Sequence, residues 1–464
     1  MFIGRTDEFC KLKKQLESDK KSAILVYGKR RIGKSRLISE VVQSFDGIAI
    51  EHTCAKTTYL GNLQLLSRSI CDVMELPPIE FSELIDVFDF LGKQGKDKRI
   101  VIVLDEYQYL KQSCEKGKID SLMQIIIDKL PSNINVILCG SYVTIMKELL
   151  EEDNPLFGRF TETIHLQAFD YYDASLFWPD ATEKEKIERY AVFGGSPFTL
   201  ETYDEGMSFG DNIKKYLLTE TGILRSYIEN VILKEIQKAY DIRIFEIIGN
   251  GKKKYSEIVT SLGEADNGLL DKQLKYLISM ESIKKVFPIN KPNDKKKQFY
   301  EICDNLVRFY FTYIFGRGSL INKLGIDQFY ELYVESTIDE FISRRFEDVS
   351  AQYFMRKVRS GKLKGVFDIG SYWYDNPENR SNGEFDVVLK REKGYDIFEC
   401  KYYKNPMSMK ECDLEAKQIG EIKGLSCNKI GFVCLSGFEC DSKVYSLHTG
   451  KDLFEKIKRV GEEQ

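Results

Sequence analysis

Histidine is scarce in this chain. Among 464 residues there are three, His52, His165 and His448, far apart in sequence, and the eleven cysteines include no C-x-x-C pair. Without ligands at paired spacing a zinc centre is not expected. The cysteines, several of them inside apolar runs, read as free thiols of a reducing compartment. No apolar run approaches the length that crosses a bilayer, and Met1-Phe2-Ile3-Gly4-Arg5 has no basic segment leading into an apolar one. A cytoplasmic protein with no membrane partner is therefore expected. A basic excess is missing as well: 68 Lys and Arg stand against 72 Asp and Glu, a net charge of −4. That excludes a global cationic field and confines any nucleic-acid contact to local patches. What remains, 43% apolar and 30% charged residues, describes a globular chain too long for one core, so several domains are expected.

The chain is organised around residues 28–35, Gly28-Lys29-Arg30-Arg31-Ile32-Gly33-Lys34-Ser35, which fit G-x-x-x-x-G-K-[ST]. The apolar run Ala23 to Tyr27 precedes them and an amphipathic stretch from Arg36 to Val42 follows. Strand, glycine loop and helix N-terminus in that order turn backbone N–H groups inward, and phosphate is the ligand such a cradle prefers. Gly28, Arg31, Ile32, Gly33, Lys34, Ser35 and Arg36 are the candidate nucleotide-binding residues. Lys34 is placed for the β- and γ-phosphates of ATP, and the Ser35 hydroxyl for one position on Mg²⁺.

Arg99 to Leu104 form a second apolar run, which ends in Asp105-Glu106. Buried parallel strands read this way, and ligands of open α/β sheets sit beyond the carboxyl ends of the strands. Asp105 is expected to hold the magnesium shell and Glu106 to polarise the attacking water. A third run, Asn135 to Gly140, ends at Ser141, placed to sense the γ-phosphate or the water. Arg159, on the turn Asn154-Pro155-Leu156-Phe157-Gly158, is a candidate arginine finger acting in cis or on a neighbouring subunit, with a structural role as the alternative. At the start of the chain, Thr6 or Asp7 is the expected N-cap of a helix through Leu12 and Leu16.

Taken in order, Phe2 to Arg5, the phosphate loop with Arg30-Arg31, Leu104-Asp105-Glu106, Cys139-Gly140-Ser141, Gly158-Arg159 and Phe193-Gly194-Gly195-Ser196-Pro197 resemble the AAA/STAND-like P-loop ATPases often called archaeal-type ATPases. The resemblance covers roughly the first half of the chain. It implies that Ile3 and Pro197 line the adenine and that residues 165–235 form a helical lid over the nucleotide.

Between 236 and 300, three short helical patterns starting at Ile242, Tyr255 and Leu269 are followed by the strand-like Ile283 to Pro288 and the basic loop Asn290 to Lys297. This is the order of a winged helix-turn-helix. Its wing and third helix either touch DNA phosphates or serve only to pack domains together, since Asp271 accompanies Lys272 and Lys275 on that helix. The aromatic stretch Asp304 to Phe315, in a connector at 301–335, reads as core.

In the last segment, 336–464, Phe341, Ile342, Phe346 and Val349 share one helical face. Glu384-Phe385-Asp386-Val387-Val388-Leu389 and Tyr395 to Lys401 then read as a hairpin, with Glu399 and Lys401 on one strand face. If register brings Asp386 beside them, two carboxylates and an ammonium converge, the set that metal-dependent phosphodiester cleavage needs. The pattern is similar to the PD-(D/E)XK nuclease superfamily. It implies Asp386, Glu399 and Lys401 as catalytic, Asp386 and Glu399 as ligands of Mg²⁺ or Mn²⁺, Glu347 on the preceding helix and Gln418 on the following one; Phe385 stands where the superfamily has proline.

The expected fold is thus α/β: a P-loop NTPase parallel sheet at 1–164, a helical lid, a winged helix-turn-helix, a connector and a C-terminal restriction-endonuclease-like domain. The expected activity is Mg-dependent ATP hydrolysis coupled to DNA processing, with DNA, and either a second copy or another protein, as partners. The alternatives are an ATP-dependent switch on a silent nuclease fold and a winged-helix transcriptional regulator.

Overall fold

All six side chains of Ser22–Tyr27 are buried, so strand β1 has no solvent face and belongs at the centre of a sheet covered on both sides. The computed structural model describes residues 2–94, 98–234, 241–249, 251–263, 268–376 and 381–457; the boundary expected at 235/236 lies outside them. The chain forms two compact units, one of residues 1–168 with 196–198 and one of residues 169–195 with 199–464.

In the first unit, β1 is joined by β2 (Ile48–Thr53), β3 (Ile100–Asp105), β4 (Ile134–Gly140) and β5 (Glu162–His165). They form one parallel sheet in the order β2-β3-β4-β1-β5. Side chains alternate between the faces. Leu25, Ile102, Leu104, Val136 and Leu138 pack on one side with Leu63, Leu66, Val87 and Met123 from the helices Tyr59–Met74, Leu84–Gln94 and Lys118–Lys129. Ile24, Val26, Val101, Val103 and Ile137 pack on the other, against α1 (Thr6–Glu17) and α2 (Lys34–Gln43). Because β4 lies between β1 and β3, the ends of these three strands open side by side. The cap of α1 differs from expectation. Arg5, in a left-handed conformation (φ 60°), occupies it without a side-chain hydrogen bond to the helix's first N–H groups, while Thr6 and Asp7 fall inside the first turn.

The second unit carries two further sheets. Helices Arg243–Gly249, Tyr255–Leu262 and Leu269–Ser279 accompany a three-stranded antiparallel sheet of β6 (Lys253–Lys254), β7 (Ile283–Val286) and β8 (Phe299–Ile302), ordered β6-β8-β7. Helix Asn305–Tyr313 buries its aromatic residues, as the sequence suggests. The long helix Ile338–Arg359 precedes β9 (Asp368–Asn376), β10 (Ser381–Lys390) and β11 (Tyr395–Lys401), all antiparallel neighbours; helix Met409–Gly420 then leads to β12 (Cys427–Cys434), parallel to β11, and β13 (Ser446–Thr449) completes the order β13-β12-β11-β10-β9.

The loop between β7 and β8 is occupied. Ile289 donates its N–H to the Ser371 carbonyl at 2.8 Å, and the Asn290 amide pairs with Trp373 main chain at 2.9 and 3.3 Å. Ile289 enters the core of the five-stranded sheet with Phe385 and Val388, and Lys291 and Lys297 pair with Asp375 at 3.5 and 3.4 Å. Two of the loop's four lysines are thus engaged by β9, the edge strand of that sheet, while Lys295 and Lys296 are exposed. Among the described residues no helix is long and apolar enough to cross a membrane.

Candidate functional site

The loop after β1 folds as its glycines require. A Cβ at Gly28 would stand 2.3 Å from the Leu166 carbonyl oxygen, and Gly33 caps α2 at φ +90°, so neither position accepts a side chain without backbone movement. Arg31 also takes a left-handed conformation (φ 62°), which is costly for a residue with a Cβ. Two contacts hold it: the Ser196 hydroxyl donates to its carbonyl at 3.0 Å, and its guanidinium lies 4.6 Å from the Phe198 ring centroid. Pro197, between them, packs on the Gly33 end of the loop, where a Cβ on Gly33 would be 3.4 Å from its ring.

Lys34 is buried in the mouth of this loop and donates to the Gly28 and Lys29 carbonyls, both at 2.9 Å. Burial pulls its ammonium below the ordinary value, opposed by the charges of Glu106 and Asp105. The Ser35 hydroxyl donates to Asp105 Oδ2 at 2.7 Å. A serine oxygen and a carboxylate held together beside an open loop suit a hard cation that keeps several waters and phosphate oxygens, so the donors fit Mg²⁺. Ile32 is buried, while Arg36 is exposed and points along α2 to Glu40 at 3.8 Å.

Glu106 sits at the turn between β3 and the next helix in a left-handed conformation (φ 52°). Its carboxylate accepts from the Ser141 hydroxyl at 2.7 Å and from the Gln108 amide. Gln108, fully buried, also accepts from the Ser141 N–H at 3.3 Å. Sequence reasoning missed this glutamine. The available signal was a polar side chain two residues past the paired acids, on a helix whose Tyr107 and Leu110 are core. Arg30 was also missed; it reaches the Tyr109 and Tyr142 hydroxyls at 3.2 and 3.0 Å.

Two expectations fare differently. Ile3 is half-buried at the start of the chain, where Arg5 ties the segment to the loop by donating to the Ile32 carbonyl at 3.2 Å and to that of Gln167. Arg159 is not brought to the phosphate loop. Its guanidinium forks onto Asp128 at 3.0 and 3.2 Å and donates to the Pro155 carbonyl at 2.9 Å. A bidentate pair of this geometry holds the guanidinium on its own turn, which is the structural alternative among the roles the sequence left open.

In the second unit the hairpin register brings Asp386, Glu399 and Lys401 together. Asp386 Oδ2 accepts the Cys400 N–H at 2.8 Å, and Lys401 Nζ lies 3.4 Å from Glu399 and 2.8 Å from Glu415. Burial pushes the Asp386 carboxyl up to about 6, with Glu384 adding repulsion. Burial and the Asp386 charge push Glu399 up to about 8 and act likewise on Glu347, also raised to about 8. Burial would lower Lys401, but Glu399 and Glu415 raise it above its ordinary value. Glu415, not Gln418, is the side chain that helix Met409–Gly420 turns toward the lysine; Gln418 is exposed. Glu384 pairs with Lys252 at 2.7 Å. Among the described residues no group of three or more His, Cys, Asp or Glu forms a ready-made metal cage. Asp386 and Glu399 together match what Mg²⁺ uses when substrate oxygens and waters complete its shell.

Comparison with known proteins matches two separate stretches of the chain. Residues 2–203 match an ATPase domain found predominantly in Archaea, and residues 310–417 match a domain of archaeal and bacterial proteins of unknown function. The uncharacterised protein MJECL04 of Methanocaldococcus jannaschii is 30% identical over 385 residues, covering 82% of this chain and 83% of its own. MJ1637 of the same organism is 22% identical over 321 residues, covering 63% of this chain and 62% of its own. Among solved structures, the Walker-type ATPase PABY2304 of Pyrococcus abyssi superposes with a TM-score of 0.51 at 22% identity, over 67% of this chain and 96% of its own, which extends the likeness to the fold. With its ATPase domain matched around the phosphate loop and a relative matched along most of both sequences, the chain belongs to the archaeal family of P-loop ATPases.

Proposed function

We propose that ATP with Mg²⁺ is hydrolysed between the loop at 28–35 and Asp105/Glu106, and that this turnover gates a nuclease-like centre at Asp386, Glu399 and Lys401 acting on DNA. In this reading the loop N–H groups and Lys34 take the phosphates, Ser35 and Asp105 hold the cation, Ile3 and Pro197 flank the adenine, and Ser141 orients Glu106 toward the water. Magnesium supplies charge neutralisation of the phosphates when bound. The second unit's three helices with a β-hairpin suit a winged helix. With Lys291 and Lys297 of its wing paired to Asp375 on β9, the exposed Lys295 and Lys296 and the exposed side of helix Leu269–Ser279, with Lys272 and Lys275, are the faces left for a duplex.

The observation that carries the nuclease reading is the crowding of Glu399 and Glu347 against Asp386, with Lys401 beside Glu399, on a layout of helix, three antiparallel strands, helix and parallel strand. Buried acids at this density are costly unless a cation joins them. A second reading, an ATP-driven switch with a silent centre, is favoured by one feature: Lys401 is already held between Glu399 and Glu415. Incubation of wild type, Glu106→Gln and Glu399→Ala with plasmid DNA, ATP and Mn²⁺ separates them. The expected result is strand breaks and phosphate release in wild type, no breaks with normal phosphate release in Glu399→Ala, and nucleotide binding without release in Glu106→Gln. Breaks that persist in Glu399→Ala, or their absence from wild type under every divalent ion, would refute the nuclease assignment.

A further inference from the structure

A cavity of about 310 Å³ lies within the second unit, bounded by helices Arg243–Gly249, Asn305–Tyr313 and Ile338–Arg359. Its wall is cationic: Lys252, Arg308, Arg317, Arg344 and Arg345 line it against Glu301 and Glu340. Two of those charges are accounted for. Lys252 pairs with Glu384 at 2.7 Å and Arg344 with Glu340 at 2.6 Å.

The rest is not. Arg308, Arg345 and the neighbouring Lys284 share two carboxylates, Glu301 and Asp348, at 3.1 to 3.9 Å. Three cations on two acids leave one positive charge over. Arg317 adds a second, since its guanidinium donates to the Thr312 carbonyl at 2.6 Å and has no carboxylate partner among the described residues. Arg308 and Arg345 are 4% and 7% exposed, and the Nε of each is buried without a hydrogen-bond partner among the described residues. A buried guanidinium with a donor unused is a costly arrangement, and a planar fork of donors is matched by the oxygens of a phosphate. Threonine and tyrosine hydroxyls from Thr312, Thr337 and Tyr333 supply further partners around the wall.

We infer that this cavity binds a nucleoside monophosphate group, its phosphate between Arg317 and the Arg308–Arg345 pair. A phosphate monoester carries up to two negative charges, the number left over. The volume stands at the lower end for small-ligand sites, which suits one nucleotide and not a triphosphate with its metal. The same chemistry belongs to a free mononucleotide and to the 5′-phosphorylated end of a strand. The inference holds whether or not the carboxylate centre cleaves DNA.

The test is titration calorimetry on the full chain in EDTA, carrying Lys34→Ala to remove binding at the phosphate loop. Probes are AMP, inorganic phosphate, and a thymidine trinucleotide with 5′-phosphate or 5′-hydroxyl. Binding of AMP or of the 5′-phosphorylated trinucleotide, weakened at least tenfold by Arg317→Ala with Arg344→Ala and by Arg345→Gln, supports the inference. AMP binding points to the free nucleotide, and the phosphorylated strand alone to a strand end. Should Arg345→Gln fail to fold, the rim pair decides. No binding by any probe, affinity unchanged in the rim pair, or inorganic phosphate held as tightly as AMP and the phosphorylated strand would overturn it.

Discussion

The two centres of this protein hold their acids in opposite ways. At the end of the parallel sheet each acid has a donor of its own: Asp105 receives Ser35, Glu106 receives Ser141 and Gln108, and Lys34 rests on loop carbonyls. In the second unit, burial and the charge of Asp386 bear on Glu399 of the hairpin and on Glu347 of the preceding helix, and the one lysine is divided between Glu399 and Glu415. The first arrangement is complete before ligand arrives and needs it only for chemistry. The second is electrostatically unfinished, and a cation would lower its energy.

The sharpest way to break this comparison is to remove the loop cation. Lys34→Ala takes away the ammonium and leaves two loop carbonyls unpaired, so ATP turnover should fall by a factor of about a thousand or more, about 4 kcal/mol of transition-state stabilisation. Phosphate release measures it. Manganese binding at Asp386 and Glu399, followed by calorimetry in the same variant, should be unchanged. A variant that turns over normally would remove the phosphate loop from the mechanism.

The crowded centre makes the next largest effect, on stability. Glu347 and Glu399 keep their protons in the folded chain up to about 8, while unfolded glutamates release theirs near 4.3. The folded state therefore binds more protons across this interval, and its stability is complete below the unfolded value and drains away as pH rises toward 8. In EDTA the denaturation midpoint of the second unit should fall between pH 5 and pH 8 by the equivalent of about 3 kcal/mol, allowing for the mutual origin of the two shifts. Glu399→Gln should flatten the slope, and Mn²⁺ should restore stability at pH 8. A midpoint that is flat across this range in EDTA would show that the acids do not crowd.

The ease of reading these regions from sequence follows the range of their interactions. The phosphate loop, the acids closing β3 and the serine after β4 were legible because each is announced by an apolar strand immediately before it, within ten residues. Asp386, Glu399 and Lys401 were legible as a possibility, since strand period places Glu399 and Lys401 on one face, but Glu415 was hidden behind Gln418 on the same helix. The contact that Arg159 makes was not legible, because its partner, Asp128, lies 31 residues upstream. The packing of the wing, one of the two alternatives the sequence left open, was hidden for the same reason at longer range: Lys297 meets Asp375 across 78 residues, and no local pattern in either segment announces that pairing.

Ser141 offers the smallest effect and the finest distinction. Its hydroxyl and the Gln108 amide both donate to the same oxygen of Glu106, Oε2. If this contact only orients the acid, Ser141→Ala costs one hydrogen bond to a charged group, and kcat should fall about tenfold with KM for ATP little changed. Gln108→Ala should do the same, and the double variant should lose less than the product of the two, because both donors act on one carboxylate. A rise in turnover on removing either donor would reverse the sense of the contact: it would then hold Glu106 back from the water, and the completeness of this centre would be restraint instead of readiness.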